Sequence, residues 1–305
     1  MGSCLSCSFS CFKTQKYDEV IQTHDPIIKK MAIKFPNGNY GIEYNDNLKL
    51  FTRCSDLDNW LMNLYKNKTW KSWVLYNDET DKIDYHHTRK GHCKGIVAWD
   101  EKRISWLCHS APNFPRYFEG NAISKIEHGE LIYGQSFQYI EIDYSETMII
   151  NIIKQIHLME ANIYREKNSF KINPVDFDKE TNENNIAVLK ISENITHLAK
   201  SPHFEIDIYG DYIAKIYNYN WKIETWLRGH LITTNTQNIK DVNSVKFDNF
   251  SYTEKHDHSK IGSTNQGFYW VGDLNRMTSQ FKRGGGGFIC FDKDLADALD
   301  KLLII

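Results

Sequence analysis

Two periods of hydrophobicity run through this chain. Short β-branched and aromatic runs bounded by turn chemistry predict strands, and runs with a helical period predict helices. Ile33 to Tyr44 reads as a hairpin that turns at Asn37-Gly38, within Lys34-Phe35-Pro36-Asn37-Gly38-Asn39-Tyr40. Leu57, Trp60, Leu61, Leu64 and Tyr65 share one helical face behind a cap at Ser55 or Asp56. Trp73 to Tyr76 is a buried strand, and Gly95 to Trp99 and Ser105 to Cys108 are two more, joined by the turn from Asp100 to Arg103. The longest helical pattern, Ser145 to about Arg165, carries Met148, Ile149, Ile152, Ile153, Ile156 and Met159 and is expected to cross between halves. Asp176 to Asn185 is polar and reads as a loop, Ile191 to Ala199 as a short helix, and Asp211 to Trp226 as alternating aromatic strands. Phe268 to Leu274 and Gly287 to Phe291 read as strands, Asp292 to Leu303 as a closing helix. Strands interleaved with helices give an α/β chain that begins its fold near Ile27.

Composition narrows the function. Of 305 residues, 41% are hydrophobic and 25% charged, and no apolar run approaches the roughly 20 residues of a membrane-spanning helix. The net charge of −2 cannot hold a phosphate-rich partner by its overall field, so such a partner requires a local basic cluster. That argues against a coating protein and leaves an enzyme with a focused cleft. Cys54, Cys93, Cys108 and Cys290 are scattered, as buried thiols in a reducing compartment are. The sequons at Asn67, Asn194 and Asn249 are what an Asn-rich chain produces by chance.

The remaining cysteines sit in a distinctive start. Met1-Gly2-Ser3-Cys4-Leu5-Ser6 fits the N-myristoylation pattern with Gly2 as acceptor, and Cys4, Cys7 and Cys11 stand where palmitoyl groups would add the second lipid that firm anchoring needs. A zinc site on Cys4, Cys7 and Cys11 lacks a fourth ligand, and a secretory signal lacks its basic start and apolar core. The bland alternative is an unmodified tail. The expected location is cytoplasmic, held to the cytosolic face of a membrane.

Chemistry repeats inside the chain. Fourteen residues separate His92-Cys93-Lys94 from His109-Ser110, and fourteen separate His258-Ser259-Lys260 from Asn275-Arg276. His and Lys at i and i+2 of a strand point the same way and grip one ligand together. Two such units about a pseudo-twofold axis would set two imidazoles and two ammoniums around one phosphate, with the lysines on its oxygens, one histidine attacking and the other protonating the leaving group. Unperturbed imidazole titrates near 6.5, so one ring can be neutral while the other is protonated, and no metal is required. A metal site from His86, His87, His92 and His109, or from His256 and His258, is the rival, but no carboxylate-rich ligand set accompanies it. A lone His-x-Lys carries no information. Two with matched spacing do.

The residues that carry a family resemblance lie in three blocks. The first holds Leu75-Tyr76-Asn77-Asp78, Gly91-His92-Cys93-Lys94-Gly95 and His109-Ser110-Ala111-Pro112-Asn113-Phe114-Pro115; the second is Tyr133-Gly134-Gln135-Ser136. The third holds Asp257-His258-Ser259-Lys260, Val271-Gly272-Asp273-Leu274-Asn275-Arg276 and Arg283-Gly284-Gly285-Gly286. With them the chain resembles the deoxyribonuclease II family of the phospholipase D superfamily from about residue 27 to 303. The resemblance implies a two-lobed α/β pseudo-dimer with a central mixed β-sheet in each lobe flanked by helices. Residues 1–26 would be the tail, 27–165 the first lobe and 166–305 the second. It implies a DNA endonuclease that needs no divalent cation and no other cofactor, and that leaves 3′-phosphate and 5′-hydroxyl ends. His92 would be the nucleophile that becomes a phosphohistidine and His258 the general acid, though the residues alone leave the reverse assignment open.

In the same picture Lys94 and Lys260 bind phosphate, His109 and Asn275 support, and Arg276 and Arg283 hold DNA with help from Arg89, Lys90, Arg116 and Lys282. Gly284 to Gly287 would let backbone amides approach a phosphate, or form a plain loop. Secreted relatives carry paired cysteines where this chain has Tyr139, Ile261 or Gly262, and Trp270, and they begin with a signal peptide. This chain therefore resembles a tethered or cytosolic version without disulfides, working nearer neutral pH. A lipid phosphodiesterase of the same superfamily is the alternative that the N-terminal pattern favours, and a nucleic-acid-binding protein without turnover is the third.

Overall fold

Strand-forming residues dominate the folded chain. The computed structural model describes residues 15–16, 28–80, 90–169, 185–226 and 238–305. Gly2, Cys4, Cys7, Cys11, His86, His87, Arg89 and all but the last residue of the polar stretch from Asp176 lie outside them. From the N-terminus come β1 (Gln15–Lys16), β2 (Ile28–Lys34), β3 (Gly41–Asn45), β4 (Leu50–Cys54), α1 (Leu57–Tyr65) and β5 (Ser72–Asn77). Next are β6 (Lys94–Trp99), β7 (Arg103–His109), β8 (Gln135–Asp143), α2 (Glu146–Leu158) and β9 (Ile163–Lys167). After β10 (Ile186–Lys190) and β11 (Ile195–Lys200), a π-helical turn (Ile208–Ile213) runs into α3 (Ala214–Tyr217). There follow β12 (Trp221–Glu224), β13 (Ile239–Asp241), β14 (Ser244–Phe247), β15 (Phe250–Thr253), β16 (Ile261–Thr264) and β17 (Phe268–Gly272). The chain closes with α4 (Thr278–Phe281), β18 (Gly285–Phe291), α5 (Lys293–Leu302) and β19 (Leu303–Ile304).

The strands form two eight-stranded sheets and a small third one. The N-terminal sheet runs β4-β3-β2-β8-β7-β6-β5-β9 and is antiparallel at every pairing. The C-terminal sheet runs β1-β10-β11-β18-β17-β16-β12-β13 and is mixed, with parallel pairs at its two edges. Five successive strands of one, β2-β8-β7-β6-β5, follow the same order as β11-β18-β17-β16-β12 of the other. The repeat seen in the polar residues is thus a repeat of the sheets that carry them. A fold of α/β class with few helices results.

One core cluster fills the space between the sheets. It joins Val97, Trp106 and Ile140 of the N-terminal sheet to Ala199, Val271 and Phe288 of the C-terminal sheet, with Met148, Ile152 and Ile156 of α2 and Leu295, Leu299 and Leu302 of α5. A second cluster lies under α1, a third under the π-helical turn and α3. Asp56 caps α1 by accepting from the Asn59 amide at 3.0 Å, and Asp292 caps α5 by accepting from the Leu295 amide at 3.0 Å. No helix among the described residues is long and apolar enough to cross a membrane. The four described cysteines, Cys54, Cys93, Cys108 and Cys290, are free and buried.

Three sequence expectations differ from the structure. Ile191, Ile195, Leu198 and Ala199 mimic a helical stripe, yet residues 195–200 are β11, paired on both sides with β10 and β18. The segment from Asp211 to Trp226 starts within the π-helical turn and α3, and only Trp221–Glu224 is a strand. The helix expected to reach Arg165 stops at Leu158, because Glu160 takes a left-handed backbone (φ 51°) and residues 163–167 return as β9. Helix α2 therefore crosses from the middle of the N-terminal sheet to its own edge, and meets β10 and β11 of the other sheet on the way.

His197 of β11 lies in this inter-sheet core. Its ring packs 4.3 Å from that of Trp106, and its Nδ1 lies 2.9 Å from Gln155 Oε1. Burial pushes the imidazole down to about 3. The folded protein therefore keeps His197 neutral where the unfolded chain protonates it, and its contribution to stability is lost as pH falls below about 6.5. Relative to a His197→Phe variant, the wild type is expected to lose about 2 kcal/mol of unfolding free energy between pH 7 and pH 5, read from urea melts. Parallel pH curves for the two proteins would remove this assignment.

Candidate active site

The first His-x-Lys leads into β6. Lys94 is the first residue of that strand, opposite Asn77 of β5, and His92 stands just before it. The second leads into β16 in the corresponding place, between β12 and β17. All four side chains are buried: His92 is 9% exposed, Lys94 3%, His258 7% and Lys260 3%.

Each motif is held by the opposite half. The His92 amide donates to the Gly284 carbonyl at 2.8 Å, and the His258 amide donates to the Gly134 carbonyl, also at 2.8 Å. The Lys94 amide donates to Asp273 Oδ1 at 3.4 Å, and the Lys260 amide to Ser136 Oγ at 3.3 Å. The charges of Lys94 and Lys260 act on one another and on His92, so the two units share one electrostatic site.

The His92 ring is held in one tautomer. Its Nδ1 lies 2.7 Å from the Asp273 carbonyl, which can only accept, so the proton is on Nδ1 and the lone pair on Nε2. Burial and the neighbouring ammonium of Lys94, with Lys260 and Arg283 adding to it against Asp78, hold the ring well below the ordinary range and therefore neutral. Asp78 accepts from Lys94 Nζ and, at 2.9 Å, from Arg283 Nη2. Burial would raise the Asp78 carboxyl, but the charges of Lys94 and Arg283 keep it ionised. Burial lowers Lys94, and Asp78 and Glu79 more than reverse this, so Lys94 stays charged. Lys260, which donates to the His258 carbonyl, is pushed down to about 8 by burial and by Lys94.

The surroundings of His258 are different. Its ring stacks on Tyr133 with centroids 4.2 Å apart and lies 4.4 Å from Trp226. Strand register makes Trp226 the counterpart of Asp78, since Asn77 faces Lys94 across β5 and β6 while Glu224 faces Ile261 across β12 and β16. The two halves are alike in backbone and unlike in the group beside each histidine. Asn275 Oδ1 accepts the Trp226 amide at 3.2 Å and so sets that indole.

His109 ends β7. Its Nδ1 accepts the Ala111 amide at 3.2 Å, leaving the proton on a buried Nε2 with no hydrogen-bond partner among the described residues. Burial and Lys94 push this ring down to about 3. It is a neutral donor within the field of Lys94, and an anionic oxygen is the acceptor it suits.

Two expectations need correction. Arg276 reads from sequence as a DNA contact, but it is 5% exposed, with Nε 2.9 Å from Asp207 and Nη1 2.6 Å from Asp241. Its charge is already balanced inside the fold. Gly285 to Gly287 form no loop: residues 285–291 are β18, a central strand, and Gly284 stands just before it. These glycines permit close backbone contact, since a Cβ on Gly284 would fall 2.0 Å from the Met159 carbonyl oxygen and one on Gly286 2.0 Å from that of Leu198. Arg283 does lie at the site, bridging Asp78 and the Lys90 carbonyl. Arg116 and Lys282 pair with Glu127 and Glu205 at the surface.

Sequence reasoning quoted Asp78, Tyr133 and Asp273 without giving them roles, and passed over Glu79 and Trp226. Asp78, Glu79 and His92 offer ligand atoms within 4.8 Å of one another, which is a possible cation set. Asp78 is engaged by two cationic side chains, and Lys94 lies 3.5 Å from Glu79, so a metal ion would have to displace or face these charges.

Comparison with known proteins adds a second line. The deoxyribonuclease II family model matches residues 43–304. Deoxyribonuclease-2-alpha of Sus scrofa is 28% identical over 255 residues, 74% of this chain and 67% of that protein. Cell-death-related nuclease 7 of Caenorhabditis elegans is 26% identical over 260 residues, 73% of this chain and 65% of that protein. Deoxyribonuclease-2 of the same organism is 29% identical over 234 residues, 70% of this chain and 60% of that protein. The matched region thus spans about two thirds of the length of these relatives.

Proposed function

The chain belongs to the deoxyribonuclease II family, and on that premise we propose that it hydrolyses DNA within the strand, without a metal ion, leaving 3′-phosphate and 5′-hydroxyl ends. The observation that carries this reading is the reciprocal docking of the two His-x-Lys motifs, each amide pair hydrogen-bonded to the other half. In this reading the halves 27–165 and 166–305 are phospholipase D-like lobes of a pseudo-dimer, a view that the shared five-strand order supports.

His92 Nε2 attacks phosphorus, and the bond from phosphorus to the 5′ oxygen breaks. His258 gives its proton to that oxygen. A positive imidazolium between the faces of Tyr133 and Trp226 is stabilised by their π-systems, which supports His258 as the acid. Water then attacks the phosphohistidine, His258 takes the proton, and the bond from phosphorus to nitrogen breaks. Lys94, Lys260 and the Nε2 proton of His109 hold the phosphoryl oxygens, and Arg283 adds charge beside them. Asn275 acts through Trp226. With these cations in place the transition state needs no divalent ion. The enzyme works in the cytoplasm, tethered to the cytosolic membrane face through Gly2 and the Cys4 and Cys7 cluster.

Plasmid cleavage in excess chelator at several pH values tests the reading, with cut ends examined for direct 5′ labelling by polynucleotide kinase. Cutting is expected to persist and the ends to label without phosphatase. Cleavage abolished by chelator, or ends that label only after phosphatase, would reject it. The N-terminal lipidation pattern favours one other reading, a lipid phosphodiesterase at the membrane, which headgroup release without DNA cutting would support. Gly2→Ala should release the protein from membranes, and unchanged partitioning removes the anchor.

A further inference from the structure

Two buried lysines outside the catalytic set occupy equivalent places in the two sheets. Lys34 ends β2 and faces Gln135, the first residue of β8; Lys200 ends β11 and faces Gly285, the first residue of β18. Both are fully buried.

Their hydrogen bonds match position by position. Lys34 Nζ donates to the carbonyls of Phe35 (3.0 Å) and Gly38 (3.2 Å), one and four residues further on. Lys200 Nζ donates likewise to Ser201 (3.2 Å) and Phe204 (3.1 Å). Each then reaches the segment that enters its neighbouring strand: Lys34 donates to Leu131 at 3.0 Å and Lys200 to Phe281 at 2.9 Å, each three residues before a glycine. Those glycines are Gly134 and Gly284, whose carbonyls hold the amides of His258 and His92. Lys34 also donates to Tyr133, the residue stacked on His258.

Neither ammonium has an ion pair among the described residues. Burial pushes Lys34 down to about 8 and Lys200 down to about 7. A methionine would fill such a strand end without the cost of taking an ammonium out of water. What the ammonium adds is a fixed set of carbonyls, and through them the glycine that holds a histidine.

We propose that Lys34 and Lys200 are positioning residues that act across the lobe boundary, Lys34 setting His258 and Lys200 setting His92. The catalytic consequence rests on the function proposed above; the geometric one does not.

The test is crossed. In folded Lys34→Met protein the ring ¹⁵N and ¹H resonances of His258 are expected to move while those of His92 stay, and Lys200→Met should do the reverse. On plasmid DNA each variant should lose about 10- to 100-fold in kcat with KM changed less than about 3-fold, as small misplacement of reacting groups does. Lys34→Gln and Lys200→Gln, which keep a donating NH2 group, should recover part of the rate, and they serve for the resonance measurement if a methionine variant fails to fold. Resonances that move only for the histidine of the lysine's own half, for both histidines alike, or for neither would overturn the proposal. If the wild type cuts no DNA, the proposed function fails and the resonance pattern still decides this one.

Discussion

His92→Ala is expected to lower DNA cleavage by about 10⁴-fold or more, because in the proposed mechanism it removes the atom that forms the covalent intermediate. His258→Ala should also cripple cutting of DNA, by roughly 10²- to 10⁴-fold, the range of a lost general acid. The two differ on an aryl phosphodiester whose leaving group needs no proton. There His258→Ala should still transfer phosphorus to His92 and accumulate the phosphohistidine, whereas His92→Ala stays inactive. Accumulation in His92→Ala instead would reverse the roles. The physical reason for the asymmetry is local. Asp78 and three cations surround a neutral His92, while Tyr133 and Trp226 enclose His258.

Arg276→Met is expected to cost about 3–5 kcal/mol of stability, the usual price of stranding one partner of a buried ion pair. Asp207, 1% exposed, would lose its counter-charge, and Asp207 also accepts the Tyr209 amide at the start of the π-helical turn. Urea melts give the effect directly. Folded variant should bind DNA with a nearly unchanged KM. An unaltered melting curve with a sharply raised KM would return Arg276 to the substrate-binding role that its sequence neighbourhood suggests.

The contrast between Arg276 and Arg283 marks where reading the chain works. Matched spacing from each lysine to His109 or Asn275 was visible because one sheet arrangement was used twice, and the hairpin at Asn37-Gly38 because turn chemistry is local. The partners of an arginine are not local. Asp207 and Asp241 lie 69 and 35 residues from Arg276, and no period connects them. β11 is hidden for a related reason: its apolar positions fit a helix face, and only its pairing with β10 and β18 decides. Trp226 could have been found by laying β12 over β5, which would have set it against Asp78. Lys34 and Lys200 left one faint signal, a lysine closing an otherwise apolar strand.

The exchange of carbonyls between halves also bears on when the chain becomes dangerous to its maker. A ribosome that has released only the first half has exposed His92 and Lys94, but not Gly284 or Asp273, which fasten them. On the function proposed above, a chain that ends before Asp273 and Gly284 is therefore expected to leave nucleic acid uncut, because the groups that fasten the first motif are supplied late in synthesis.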